Sequence, residues 1–375
     1  MRRKAFLLTE QLMTILLQAG FILALVTAFY LMLNFYMKTQ QVLTARNRAE
    51  RVIQFVDDKV RHVGLGLWQC DGASDIRSHL NKIPVLQGDS QHAYNLPVSI
   101  ADNNGTMNEE FIPKKSAAQT EGNVLTLLYA EGLMPDSDAL TSEELKELLE
   151  NKFEIITLIS ESASFTWDGA ESSAVAKIID TKEDNQKNLK YIKHSFDFDK
   201  TKANINNYAV MVSLGLPIYL HALSGNDLTV GLFGSEAETV TIPAASELLA
   251  LRCLQMYVRS DEDDRQFVWR ELTEKGDAWK EVGKKVDNSE YGLQEDNILE
   301  IYAKLDPATN ILTLHVLASG GKNTDSDTPR PDAWPKEAEP KGSSDEDART
   351  AWLESDYKDH VVYVARKSWK LNNLR

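Results

Sequence analysis

Between Glu10 and Lys38 the chain runs for 27 residues, from Gln11 to Met37, without a formal charge, and most of them are apolar. As a helix, that stretch reaches about 40 Å at 1.5 Å per residue, enough to cross roughly 30 Å of hydrocarbon. A secretory signal carries a shorter apolar run and ends in a small-x-small cleavage site. Here the run is longer and passes into LNFYMKTQQ with no such site. The expectation is a retained membrane-spanning helix. Charge does not orient it: Arg2, Arg3 and Lys4 precede it, and Lys38, Arg46, Arg48 and Arg51 follow within about 20 residues.

Glu10 sits near the start of this apolar segment. A carboxylate at the centre of a bilayer costs about 2.5–3.5 kcal/mol, and less near an end. It therefore calls for a partner or for a place at headgroup level, where it also favours the helix N-terminus. Beyond the apolar run, Val42, Ala45, Ala49, Val52, Val56 and Val63 follow alternating steps of three and four, with Val60 filling the slot at Lys59. That is one apolar stripe on a helix. It predicts that the helix continues to about Gly64, with its second half packed on a globular domain. Arg46, Arg48, Glu50, Arg51, Asp57 and Asp58 are expected mostly on other faces.

These features resemble a type IV prepilin. The matching residues are a short basic leader, Met1-Arg2-Arg3-Lys4-Ala5, then Phe6-Leu7-Leu8-Thr9-Glu10, then the long apolar helix. The resemblance implies leader removal between Ala5 and Phe6 by a membrane-embedded prepilin peptidase. It also implies methylation of the new amino terminus at Phe6, and pairing of Glu10, fifth in the mature chain, with the amino terminus of a neighbouring subunit. The family usually has Gly where Ala5 stands. Within Arg48–Cys70, the residues Asp58, Arg61, Gly64, Trp68 and Cys70 are similar to the helix end of PilW-like minor pilins. They are almost as similar to J-type minor pseudopilins of type II secretion. The match covers about the first fifth of the chain.

The domain plan is then a leader at 1–5, a pilin helix at 6–64 with 6–37 in the membrane, and a periplasmic β-rich domain at 65–375. The fold class expected is α+β: a long N-terminal helix on a mainly antiparallel sheet. Apolar, β-branched runs at Val124–Tyr129, Phe153–Ile159, Tyr208–Leu216, Glu247–Val258 and Phe267–Leu272 read as strands. Ile298–Leu305 and Ile311–Ala318 form a hairpin around Asp306–Asn310, and Val361–Trp369 makes a last strand. Thr141–Glu144, followed by Leu145, Leu148 and Leu149, has the capping-box pattern of a short helix. Residues 320–350, rich in Pro, Asp, Glu, Ser and Lys, are expected to form an exposed, disordered loop.

A net charge of -15 argues against general affinity for nucleic acid, whose phosphates require excess Lys and Arg. The sequence has no GxxxxGK[ST] loop, no HExxH pair and no GxSxG elbow, and its seven histidines are scattered without ligand spacing. No catalytic residue and no cofactor is assigned. Asp261, Asp263 and Asp264 are weak calcium candidates, because calcium takes several oxygen ligands; a solvated turn between two strands is the preferred reading. Cys70 and Cys253 would form a disulfide in an oxidising periplasm or remain two separate buried thiols; spacing alone leaves both open.

The function implied by the resemblance is a minor pilin that primes or caps a type IV pilus. Its expected partners are other major and minor pilins or pseudopilins, the peptidase, an inner-membrane assembly platform and lipid. It would sit in the inner membrane by a single pass, then in the pilus or pseudopilus. The alternatives are a J-type pseudopilin and a membrane-anchored periplasmic enzyme or sensor.

Overall fold

The computed structural model describes residues 2–65, 97–101, 120–132, 156–158, 163–167, 173–177, 192, 196, 198, 208–211, 216–225, 227–232, 238–242, 246–261, 264–272, 279–281, 295–323, 328–335, 338 and 356–371. Within the N-terminal helix, side chains are described from residue 10 onward. Helix α1 runs unbroken from Arg2 to Val60, 59 residues and about 88 Å long. Nothing in this stretch interrupts it: the sequence has no Pro before Pro84. The hydroxyls of Thr14, Thr27, Thr39 and Thr44 donate back to the carbonyl four residues earlier, at 2.8–2.9 Å.

Regular helix stops at Val60, four residues short of the expected Gly64. The last turn tightens as His62 N donates to Lys59 O at 3.1 Å and Val63 N to Val60 O at 3.2 Å. Val63 is then captured as a β-bridge to Tyr129, and Gly64 takes φ 70°, a conformation open to Gly at little cost.

The described strands are β1 (Val98–Ala101), β2 (Glu121–Gly122), β3 (Val124–Glu131), β4 (Ile156–Leu158), β5 (Ala163–Trp167), β6 (Ser173–Lys177), β7 (Tyr208–Met211), β8 (Leu216–Ser224), β9 (Asp227–Leu232), β10 (Glu238–Ile242), β11 (Ser246–Asp261), β12 (Asp264–Leu272), β13 (Trp279–Glu281), β14 (Glu295–Asp296), β15 (Ile298–Asp306), β16 (Ile311–Lys322) and β17 (His360–Lys370). Every pairing among them is antiparallel. One large sheet follows the path β1-β3-β11-β7-β8-β9-β6, with β4, β12, β13 and β14 attached to it. A second sheet is ordered β17-β16-β15-β2, and β5 pairs with β10. This is the expected α+β architecture, a long apolar N-terminal helix on an antiparallel β domain, and it matches a pilin-like fold.

The core lies where the second half of α1 meets both sheets. Ala45, Ala49, Val52, Ile53, Val56 and Val60 are buried against Leu125, Leu127 and Tyr129 of β3, Leu254 and Met256 of β11, and the inward rows of β15, β16 and β17. In β16 the inward row is Leu312, Leu314, Val316 and Ala318, the strict alternation that a pleated strand imposes. A bulge between Ile298 and Glu300 resets the parity of β15, so Ile298, Ile301 and Ala303 all reach this core. The predicted stripe is therefore present, except that Val42 is 41% exposed. It lies about 100° round the helix from Gln41, the residue that meets β16.

The helix touches the sheet by backbone at its exit. A Cβ on Gly320 would lie 1.9 Å from the carbonyl oxygen of Gln41, closer than any real contact. Gly321 beside it has φ 134°, at the register shift between Ser319 and Lys322. Two glycines thus let β16 pass directly under α1.

The interval 320–350, expected as an exposed, disordered loop, departs from that expectation where it is described. Residues 320–322 complete β16, and Trp334 is only 1% exposed. It packs with Leu299, Tyr302, Leu317, Ala338 and Tyr357 on the sheet face away from α1. One large aromatic ring supplies the apolar area that the polar composition around it hides. The capping-box helix at 141–149 lies outside the described residues. Strands β8 and β9, joined at Gly225 (φ 59°), were not anticipated as a pair.

Replacing Gly320 with Ala should force β16 and α1 apart. Denaturant unfolding of the detergent-solubilised chain should show a loss of about 1–3 kcal/mol. Parent-like stability would mean that α1 does not rest on this strand.

Candidate functional site

Two halves of one helix divide the work. From Leu12 to Leu43 the large apolar side chains face outward; Phe21 and Phe29 are 67% exposed and Phe35 is 75% exposed. Exposure of apolar surface on this scale marks a face made for lipid or for other protein. α1 is long and apolar enough to cross a membrane. An apolar N-terminal helix joined to a folded domain is consistent with a single-pass membrane protein carrying an extracytoplasmic domain.

Glu10 is exposed on this half, at its N-terminal end. Ala5 and Phe6 lie in the same continuous helix, and their side chains fall outside the described residues.

The second half is held by polar contacts along its flanks as well as by its apolar stripe. Asp57 is the hub. It accepts from Trp369 Nε1 at 2.6 Å and from Arg61 Nη2 at 2.6 Å, and lies 2.8 Å from Lys367 Nζ. Lys367 and Trp369 are two apart on β17 and so project from the same face, toward α1. Burial pushes the Asp57 carboxyl up, but the bonds from Lys367, Trp369 and Arg61 outweigh it and hold the group below the ordinary aspartate value.

Nearer the helix exit, Arg48 donates to Ser319 O at 2.7 Å and lies 3.9 Å from Glu295, while Arg51 reaches Glu295 at 3.5 Å. Burial raises the Glu295 carboxyl above its ordinary range, against the pull of Arg51 and Arg48. Farther along the same flank, toward the helix end, Lys59 lies 3.8 Å from Glu131, which also takes Arg252 at 3.1 Å. Lys59 also sits over the Tyr129 ring, 5.2 Å from its centroid. Phe55 closes the remaining gap against Trp269 and Phe267, at centroid separations of 5.3 and 6.2 Å.

Some expected residues move in role. Arg61 pairs with Asp57, four residues before it. Asp58 instead lies 3.7 Å from Lys59. Arg48, Arg51 and Asp57, expected on other faces, reach the domain at the rim of the stripe.

Trp68 and Cys70 lie outside the described residues, so the proposed bridge to Cys253 does too. Cys253 itself is buried in β11, paired in register with Leu128, on the face opposite Leu254 and Met256. The backbones of Asp261 and Asp264 are paired in register at the end of the β11–β12 hairpin, and Asp263 lies outside the described residues. Among the described residues no three of His, Cys, Asp and Glu gather into a metal set.

Ser319 Oγ lies 2.8 Å from His360 Nδ1, the spacing of a nucleophile and its base. The same hydroxyl accepts from Gly321 N at 3.0 Å, and Ser319 is fully buried, so no substrate reaches it. The contact pins the end of β16 to β17 beneath the helix exit. Comparison with protein-family models, curated proteins and solved structures finds no match to this chain.

The lowered carboxyl of Asp57 contributes stability that is complete above the unfolded-state pKa near 3.8 and is lost as pH falls through the folded value. Replacing Asp57 with Asn should cost about 1.5–3 kcal/mol at neutral pH. In denaturant titrations the gap between parent and variant should close as the pH is taken below 4. A gap that stays constant to pH 2 would mean the charge of Asp57 does not hold the helix.

Proposed function

We propose that this chain is a pilin-like structural subunit that primes or caps a filament of the type IV pilus class. One observation carries the reading. A single rigid helix is sealed into a β domain along Ala45–Val60, while its other half offers continuous apolar surface with one carboxylate, Glu10, near the start. An apolar face of this length is costly in water. It is stable in lipid, and equally stable among like helices in a filament core. Transfer between the two environments needs little net change in apolar burial, so assembly can be steered by a small number of polar contacts.

Glu10 supplies the first of these. Alone in lipid its carboxylate is unfavourable; beside the amino terminus of a neighbour it is compensated, so the pair forms when subunits meet in register. The amino terminus becomes available at that depth after cleavage between Ala5 and Phe6 by a prepilin peptidase, with methylation at Phe6. The domain then faces the periplasm from a single inner-membrane pass. Its partners are other pilins and the inner-membrane assembly platform.

Co-expression with a prepilin peptidase should yield a mature chain beginning at methylated Phe6, read by intact mass and N-terminal sequencing. An uncut chain beginning at Met1 would point to a plain anchor. Replacing Glu10 with Val should abolish co-purification with partner pilins while leaving the folding of the β domain unchanged.

A further inference from the structure

The exposed half of α1 carries a second polar group that the pairing of Glu10 does not use. Gln18 lies twelve residues beyond Phe6, so in a helix that enters the hydrocarbon at Phe6 it sits about 18 Å deep, close to the middle of a roughly 30 Å core. Its side chain is exposed and has no hydrogen-bond partner among the described residues. The hydroxyls in the same span differ. Thr14 and Thr27 satisfy themselves on the carbonyls of Glu10 and Leu23. Gln18 therefore brings an unsatisfied donor and acceptor into a medium that offers neither, a cost that a second polar group on another helix removes.

The surface around it is shaped for such a helix. Thr14, Leu17, Gln18 and Phe21, with Ile22 beside them, line a shallow hollow. The first four stand at i, i+3, i+4 and i+7, the diamond that receives a side chain from a parallel neighbour in knobs-into-holes packing.

We propose that this hollow is a contact between two copies of the chain lying parallel in the membrane, joined by a reciprocal hydrogen bond between their Gln18 amides. A parallel second copy places its own amide at the same depth by symmetry, and an amide both donates and accepts. Glu10 lies eight residues away, about 80° round the helix, so a seam through Gln18 leaves the two carboxylates at its flanks instead of face to face. The proposal rests on the membrane-spanning, assembling role given above, and names a contact made before or beside the one at Glu10.

The test is self-association of the full chain in phosphatidylethanolamine–phosphatidylglycerol vesicles. It is measured by energy transfer between donor- and acceptor-labelled copies at varied protein-to-lipid ratio. Gln18→Leu, which keeps the bulk and removes the bond, should weaken association about five-fold, and Gln18→Asn should retain most of it. Glu10→Val should leave this self-association near the parental value. Absent self-association of the parent, or equal association of the parent and Gln18→Leu, would overturn the proposal. Those results would leave leader cleavage and the Glu10-dependent capture of pilins intact. Failure of those two with Gln18-dependent dimers preserved would instead overturn the filament role alone. Unchanged thermal unfolding of the β domain in each variant confirms that the readout concerns the membrane half.

Discussion

The approach of α1 to β16 governs the rest of the architecture. At Gly320 the contact is backbone to backbone, and Ala45 and Ala49, next along the helix, are fully buried. Bulk enters only afterward, with Val52, Ile53, Val56 and Val60. Small groups near the exit hold the helix close to the sheet where it leaves the domain, and larger ones fill the widening space behind it. Because the contact is tight at Gln41, the boundary between the buried and exposed halves falls within about one helical turn. Val42 and Leu43, beside Gln41 but on other sides of the helix, are already turned outward.

Around that apolar seat the charged rim adds position more than energy. Glu295 draws together two cations from α1, Glu131 one from α1 and one from β11, and Asp57 holds Arg61, just past the helix, with Lys367 of β17. Two of these carboxylates respond to acid in opposite senses. Asp57, held low by its donors, loses its contribution as pH falls, whereas Glu295, raised by burial, is relieved by protonation. Acid therefore removes the Asp57 contribution at the C-terminal end of the docked segment, while protonation of Glu295 adds nothing to that loss.

The sequence made the helix, its buried stripe and the hairpin of β15 and β16 readable, because each is a local period. Ala45, Ala49, Val52, Val56 and Val60 repeat at helical spacing, and Leu312, Leu314 and Val316 alternate. The site's anchorage was not readable in the same way. Lys367 and Trp369 are some 310 residues from Asp57, and no spacing rule joins them. A hint existed: two inward-facing residues of a basic strand, a Lys and an indole N–H, both needing an acceptor. Trp334 was hidden for a related reason, since one aromatic ring among Pro, Asp and Lys does not change the average composition. Gly320 gave no signal either, because the need for a missing Cβ arises only once helix and strand are placed together.

The unbroken run of α1 through both environments also has a mechanical consequence. Its docked segment, Ala45 to Val60, lies along the helix axis over about 24 Å. A pull on the free end parallel to that axis loads the stripe, the Asp57 hub and the Arg48 contact at the same moment, in shear. A sideways pull would instead peel them in turn from Gln41 inward. The domain is accordingly a cargo fastened to resist traction along the direction in which its own shaft points.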